Sequence, residues 1–431
     1  MIESLYSYFL QSTGVSTDTR NIREGNLFFA LKGPNFNANA YAKEALNKGA
    51  AIAVIDDEAY AENKQYVVVE DVLQTLQELA RHHRRQFDIP FVALTGSNGK
   101  TTSKELVREA LKGKYNVYAT EGNLNNHIGV PLTLLHIPKD TEIVVVEMGA
   151  NKVGDIRELV EIAEPTHGFI TNIGRAHLEG FGGIEGVLRG KTELFDFLMK
   201  NDGQVFINSG DDKLRHMVKR FRAKPALTYP APGDYYSCEL DSVTPYLQVK
   251  TETGTILETN LIGTYNFSNV AVALCLAKYF NIPEDIAVSN ISAFVPAMNR
   301  SQIIEKGKSR IILDAYNANP DSMRAALMNL QAMPGHRKAA ILGDMYELGD
   351  ESKERHREIG ETLEPLAIDE VILCGTHMKH AAEVLPDARY FETREDLTAY
   401  LSTHAFSDVV LLIKGSRGMT LESLMDQLQI S

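Results

Sequence analysis

At 431 residues the chain is too long for one ordinary hydrophobic core, and two to four domains are expected. Hydrophobic residues make up 44% and charged residues 23%, a globular balance that argues against long disordered tracts. The formal net charge of −13 excludes a general attraction to nucleic acid or anionic lipid, so any bound anion must be held by local donors. No run of about 18 apolar residues exists, so no membrane span is expected. The N-terminus lacks a basic stretch followed by an apolar one, so no signal peptide is read there. Cys238, Cys275 and Cys374 lie far apart without metal-ligand spacing. They read as buried thiols in a reducing compartment, and the cytoplasm is the expected location.

In chain order, residues 1–85 hold short apolar strands at 27–31, 51–55 and 66–69. A helical pattern over 71–85 ends in the basic run Arg81-His82-His83-Arg84-Arg85. That run reads as a solvated helix end facing a linker. The next block, 86–296, opens on the apolar strand 91–94 and continues with runs at 143–146, 168–171 and 205–207. Strands apolar on both faces, alternating with helices, indicate a mostly parallel sheet covered on both sides. Residues 235–261 alternate instead, with Gly254 at a turn, and read as a small antiparallel addition. A helix over 266–280 closes the block. The last block, 297–431, has strands at 311–313, 339–342, 371–373 and 409–413 with helices between them, the pattern of a doubly wound sheet. The fold class is therefore α/β.

The strand 91–94 runs into Thr95-Gly96-Ser97-Asn98-Gly99-Lys100-Thr101-Thr102, with a helix starting near Lys100. Unpaired N–H groups at a helix N-terminus attract a phosphate, and the glycines let the backbone approach it closely. Lys100 is placed to reach the β/γ-phosphates and Thr101 to hold Mg²⁺. The longer form G-x-x-x-x-G-K-[ST] would need glycine where Leu94 stands, so this is the shorter G-x-x-G-K-T form.

This loop resembles that of the Mur ligases, ATP-dependent enzymes that build the peptidoglycan peptide. Three later segments follow in the family's order: Asn123–Pro131 (NLNNHIGVP), Val146–Ala150 (VEMGA) and Thr171–Glu179 (TNIGRAHLE). The segments at 314–323 (DAYNANPDSM), 343–349 (GDMYELG) and 414–419 (KGSRGM) resemble the member that joins D-alanyl-D-alanine to UDP-N-acetylmuramoyl-tripeptide. The N-terminal segments 17–20 and 25–33 resemble its UDP-sugar-binding part.

The resemblance implies three domains. These are a small UDP-binding α/β domain over 1–85, a central P-loop-type ATPase domain over 86–296 and a Rossmann-like domain over 297–431. Hinges are expected near 86–90 and 296–299. It implies ATP, two Mg²⁺ ions, UDP-N-acetylmuramoyl-tripeptide and D-alanyl-D-alanine as the groups bound, and a monomer. Among the residues, Thr101, Glu147, His177 and a carbamylated Lys191 are the implied metal ligands. Lys100 and Arg300 serve the γ-phosphate. Asn269, Tyr316, Asn317 and Asp344 belong with the nucleotide, Tyr316 and Asn317 near the dipeptide as well. Thr17, Asp18, Thr19, Arg20, Asn125, Asn126 and His127 fall to the UDP-sugar-peptide. Asn319, Lys414, Ser416 and Arg417 fall to the dipeptide. Two other readings stay open at this stage. One is a ligase of the same superfamily adding a single amino acid or a glutamate tail, against which the segments 316–323 and 414–419 argue. The other is a P-loop kinase or a non-catalytic ATP switch.

Overall fold

The computed structural model describes residues 1–221, 224–297 and 299–430. Three main sheets follow one another along the chain. In the first, Val15–Ser16, Leu27–Phe29, Ile52–Ile55 and Tyr66–Val68 pair in that order, all parallel. The helix Val72–Arg84 starts where the Asp71 carboxylate accepts the Gln74 N–H, and it buries Val72, Leu76 and Leu79 on one face.

The basic end of this helix is not the solvated terminus expected from sequence. The buried Arg84 donates to the carbonyls of Phe87, Ala163 and Glu164, and its guanidinium lies 3.6 Å over the Phe91 ring. Burial pulls its pKa down to about 10 against the pull of Glu164. Arg81 and Arg85 both pair with Glu164. The run fastens the first sheet's helix to the second layer. The run looked like a solvent-facing cluster because the partners of its arginines at Ala163 and Glu164 lie far along the chain.

The second sheet runs Leu227–Tyr229, Gln204–Asn208, His167–Ile170, Phe91–Thr95, Ile143–Glu147, Val117–Ala119, all parallel. Period-two alternation sends Phe91 and Ala93 into one core and Val92 and Leu94 into another. Both faces of the strand are therefore covered. Strand order reverses around Phe91–Thr95, which puts a crevice at its carboxyl end. The antiparallel addition is Glu239–Ser242, Gln248–Lys250 and Ile256–Glu258. The helical pattern read as one stretch over 184–200 is two helices, Ile184–Lys191 and Glu193–Lys200. At the break the Thr192 hydroxyl donates back to the Arg189 carbonyl, and the Glu193 carboxylate accepts the N–H groups of Gly154 and Arg157.

The third sheet runs Gln302–Lys306, Ser309–Asp314, Val409–Lys414, Arg337–Gly343, Glu370–Cys374, Arg389–Phe391. All its pairs are parallel except the first, a hairpin. Gln302–Lys306 and Arg389–Phe391 were not legible as strands. Both are edge strands whose side chains are at most half-buried, so they lack the continuous apolar run of a central strand. The three cysteines are free and buried. Among the described residues no helix is long and apolar enough to cross a membrane.

Candidate active site

The carboxyl ends of the second and third sheets face one cleft of about 1060 Å³. Its floor is the phosphate loop. Phe91–Thr95 ends in the buried Thr95, and Gly99 precedes the helix Lys100–Leu111 with a left-handed φ of 78°. A Cβ at Gly99 would stand 2.7 Å from Asn269 Oδ1, and one at Gly96 would stand 1.9 Å from Thr171 Oγ1. A side chain at either position would crowd its neighbour and sit in a strained left-handed backbone. A second loop, 171–174, holds it from beside. The Asn172 side chain accepts the Asn98 N–H and donates to the Asn98 carbonyl, which Thr171 also caps. Ser97 exchanges hydrogen bonds with the backbone of Gly174. Lys100 Nζ donates to the carbonyls of Gly96 and Ser97. Burial lowers the Lys100 pKa, and Glu147 opposes that shift.

Glu147 ends the strand Ile143–Glu147 and is 1% exposed. One of its oxygens accepts the Thr101 hydroxyl at 2.9 Å and the other accepts Asn125 Nδ2 at 2.8 Å. Its own N–H is held by the Thr120 hydroxyl. Among the described residues its hydrogen-bond partners are neutral groups, and no cation is bonded to it. His177 lines the same cleft. Lys191 is 1% exposed, lies behind the cleft wall, and donates to the Ala150 carbonyl at 3.1 Å. Burial, then the nearby Lys100, holds its pKa well below the usual lysine range. Among the described residues no group of three or more His, Cys, Asp or Glu side chains is gathered to hold a metal. Thr101 and Glu147 set a hydroxyl and a carboxylate oxygen side by side, a donor set that suits Mg²⁺. That ion commonly takes one or two carboxylates and completes its shell with waters and phosphates.

The third sheet supplies the roof. The Arg300 guanidinium stacks 3.6 Å over the Tyr316 ring, with Arg417 at 5.6 Å from the same ring. Arg300 Nε is buried and has no hydrogen-bond partner among the described residues. Asn319 caps the helix Pro320–Ala332, and its Nδ2 reaches across to Asn98 Oδ1 at 2.7 Å. Lys414, 2% exposed, pairs with Asp314 at 2.6 Å and donates to the Asn317 carbonyl.

The cleft thus brings together Ser97, Asn98, Gly99, Lys100 and Thr102 with Asn125, Asn126, His127, Glu147 and His177. Asn269, Arg300, Tyr316, Asn317, Asn319 and Lys414 join them. The amide of Asn269 is engaged on both sides, by Ser103 and Asn266. Asn126 caps the N–H groups of Ile128 and Gly129. Other candidates lie apart from it. Asp344 is buried and accepts the N–H groups of His377 and Met378. Ser416 accepts the Tyr346 N–H. Thr17, Asp18, Thr19 and Arg20 form a turn of the first sheet, where Asp18 accepts the Arg20 N–H and pairs with its guanidinium. Residue 298, in the expected hinge, lies outside the described residues.

Several residues at this junction escaped the sequence reading. Asn172 pins the phosphate loop. Arg175 grips Asp321 with its N–H and guanidinium and reaches Glu358. Glu347 meets His177. All except Glu358 lay inside motifs already singled out, but motif membership names no partner.

The chain is similar to known proteins over almost its whole length. Residues 11–84 match the Mur ligase family catalytic domain, 94–277 the Mur ligase middle domain and 299–417 the Mur ligase glutamate ligase domain. The UDP-N-acetylmuramoyl-tripeptide–D-alanyl-D-alanine ligase of Bacillus subtilis is 35% identical over 437 residues, covering 96% of this chain and 93% of its own. The Escherichia coli K12 protein of the same name is 32% identical, covering 96% and 93%. Among solved structures, MurF from Acinetobacter baumannii superposes with a TM-score of 0.88 at 29% identity over 98% of each chain. Thermotoga maritima MurF in complex with ADP does so with 0.86 at 29% identity over 97% of each.

Proposed function

Because the chain belongs to the Mur ligase family, we propose that it joins D-alanyl-D-alanine to UDP-N-acetylmuramoyl-tripeptide, splitting ATP to ADP and phosphate, in the synthesis of peptidoglycan. The observation that carries this reading is the single cleft in which the phosphate loop and Glu147 meet Arg300, Tyr316 and Asn319 of the third sheet. A kinase or a switch needs the loop. It does not need a second sheet closing an arginine and a helix cap onto it.

A carboxylate and an amine do not condense in water, because the carboxylate has no leaving group. In the proposed reaction a tripeptide carboxylate oxygen attacks the γ-phosphorus, the bond to the β-phosphate oxygen breaks, and ADP leaves. The dipeptide amine then attacks the acyl phosphate carbonyl, loses a proton, and expels phosphate as the amide forms. Two anions must approach for the first step. Lys100 and Arg300 are the cations at hand to offset that repulsion. Arg300 is held flat by Tyr316, with its Nε unpaired among the described residues. Mg²⁺, held by Thr101, Glu147 and His177, would neutralise charge on the phosphates and on the transferring group. We also propose that Lys191 is carbamylated. Its amine is buried and displaced toward the neutral form, the form that adds CO₂ with loss of a proton to give an oxygen-donor anion.

The substrates are assigned in turn along the chain. Residues 1–85 take the UDP-sugar end, with Thr17, Asp18, Thr19 and Arg20 at its nucleotide. Residues 86–296 take the ATP phosphates, metal and carboxylate, and Asn269 the base. Residues 297–431 take the dipeptide, with Asn319, Lys414, Ser416 and Arg417 around it and Asp344 near the ribose. The working form is proposed to be a cytoplasmic monomer. The test is phosphate release from ATP with each substrate alone and with both. Release that requires both is expected. ATP splitting that neither compound stimulates sinks the reading.

A further inference from the structure

Glu347 and His177 face each other across the junction of the second and third sheets. His177 Nδ1 lies 2.6 Å from Glu347 Oε2. The carboxylate is the group that faces Nδ1, although the contact departs from the straight line of a hydrogen bond. Both residues have left-handed backbones, φ 53° at His177 and 63° at Glu347. Neither is glycine, and such conformations persist only where the surroundings over-determine them. The backbone is tied here as well, because the Glu179 N–H donates to the Glu347 carbonyl at 3.4 Å. Glu347 is thus held at main chain and side chain against the loop that carries His177, and both line the cleft.

An imidazole with a carboxylate beside Nδ1 keeps its proton on that nitrogen. The lone pair then sits on Nε2. Carboxylate partners of this kind orient metal-binding histidines and fix their tautomer. We infer that Glu347, carried by the third sheet, is a positioning residue for His177 of the second, holding the Nδ1 proton so that the Nε2 lone pair is presented to the cleft. The inference rests on the ligase reading, in which His177 is a metal ligand. Its consequence is that His177 is prepared only while the third sheet is docked.

The test uses the full-length protein labelled with ¹⁵N-histidine. Two-bond ¹H–¹⁵N correlations distinguish the tautomers, and the His177 signals are those lost in His177→Gln. The wild type is expected to show the Nδ1–H form. Glu347→Gln, which keeps an oxygen acceptor, is expected to retain it. Glu347→Ala is expected to shift toward Nε2–H and to raise the Mg²⁺ concentration for half-maximal activity by about 10-fold or more. Glu347 is half-exposed, so the truncation opens no core cavity, and Glu347→Ser serves if the alanine variant does not fold. An unchanged tautomer, or an unchanged Mg²⁺ requirement, in the truncated variant overturns the inference. If the wild type itself adds no dipeptide, the ligase reading fails, and the tautomer measurement still decides the role of Glu347.

Discussion

Both oxygens of Glu147 accept from neutral donors, and among the described residues neither is bonded to a cation, which leaves the carboxylate available to a metal. Glu147→Gln preserves the shape and removes that charge. The ligation rate is expected to fall by roughly 10²-fold or more, with ATP binding much less affected, as read by kcat and by nucleotide titration. Lys191→Ala is expected to be inactive and to recover in part when small carboxylates are added. Full activity of the variant without them would remove the carbamate from the account. Two histidines, the buried His83 and the half-buried His167, give a separate expectation for pH. Burial, as the leading cause, lowers His83 and His167 to about 4. Their folded pKa values lie below the unfolded value, so the unfolded chain takes up protons first as pH falls. Their contribution is complete above about pH 6.5 and is lost between there and about pH 4, by up to roughly 3 kcal/mol each. Urea midpoints are expected to drop over that window, and less so in His167→Gln.

At the scale of elements, the phosphate loop was the part most legible in sequence, because its determinants are local. A strand, two glycines with special backbone needs and a helix start lie within one short segment. Gly99→Ala places a Cβ against Asn269 at a left-handed φ. It is expected to destabilise the loop by about 1–2 kcal/mol and to weaken ATP binding. The buried strands were legible for a similar reason, since each is apolar on both faces. Edge strands such as Gln302–Lys306 were not, because partial exposure erases the pattern. Arg84 shows the other limit. Its role depends on the carbonyls of Ala163 and Glu164, about which the local sequence is silent. Arg84→Met leaves those buried acceptors unpaired and is expected to destabilise by about 2 kcal/mol. Arg84→Lys should not rescue it, since an ammonium lacks the fork that spans them. Denaturation midpoints of the two variants decide this.

For the whole molecule, the site exists only where two sheets meet. Asn98 and Asn319 are 221 residues apart in sequence and 2.7 Å apart in space. Arg175 with Asp321, and His177 with Glu347, cross the same seam. The sequence motifs identified both banks of the cleft but not their register against each other, because partners this distant leave no local trace. These contacts describe a docked arrangement, so ATP analogue and tripeptide substrate together are expected to reduce the radius of gyration in solution scattering. An unchanged profile would count against hinged closure. The central claim is that a tripeptide carboxylate takes the γ-phosphoryl group and is then attacked by the dipeptide amine. It is tested most directly by placing ¹⁸O in the terminal carboxylate of UDP-N-acetylmuramoyl-tripeptide and weighing the phosphate released. The account requires one ¹⁸O atom per phosphate, with formation of the dipeptide-extended product. Unlabelled phosphate, or phosphate released without that product, would contradict it.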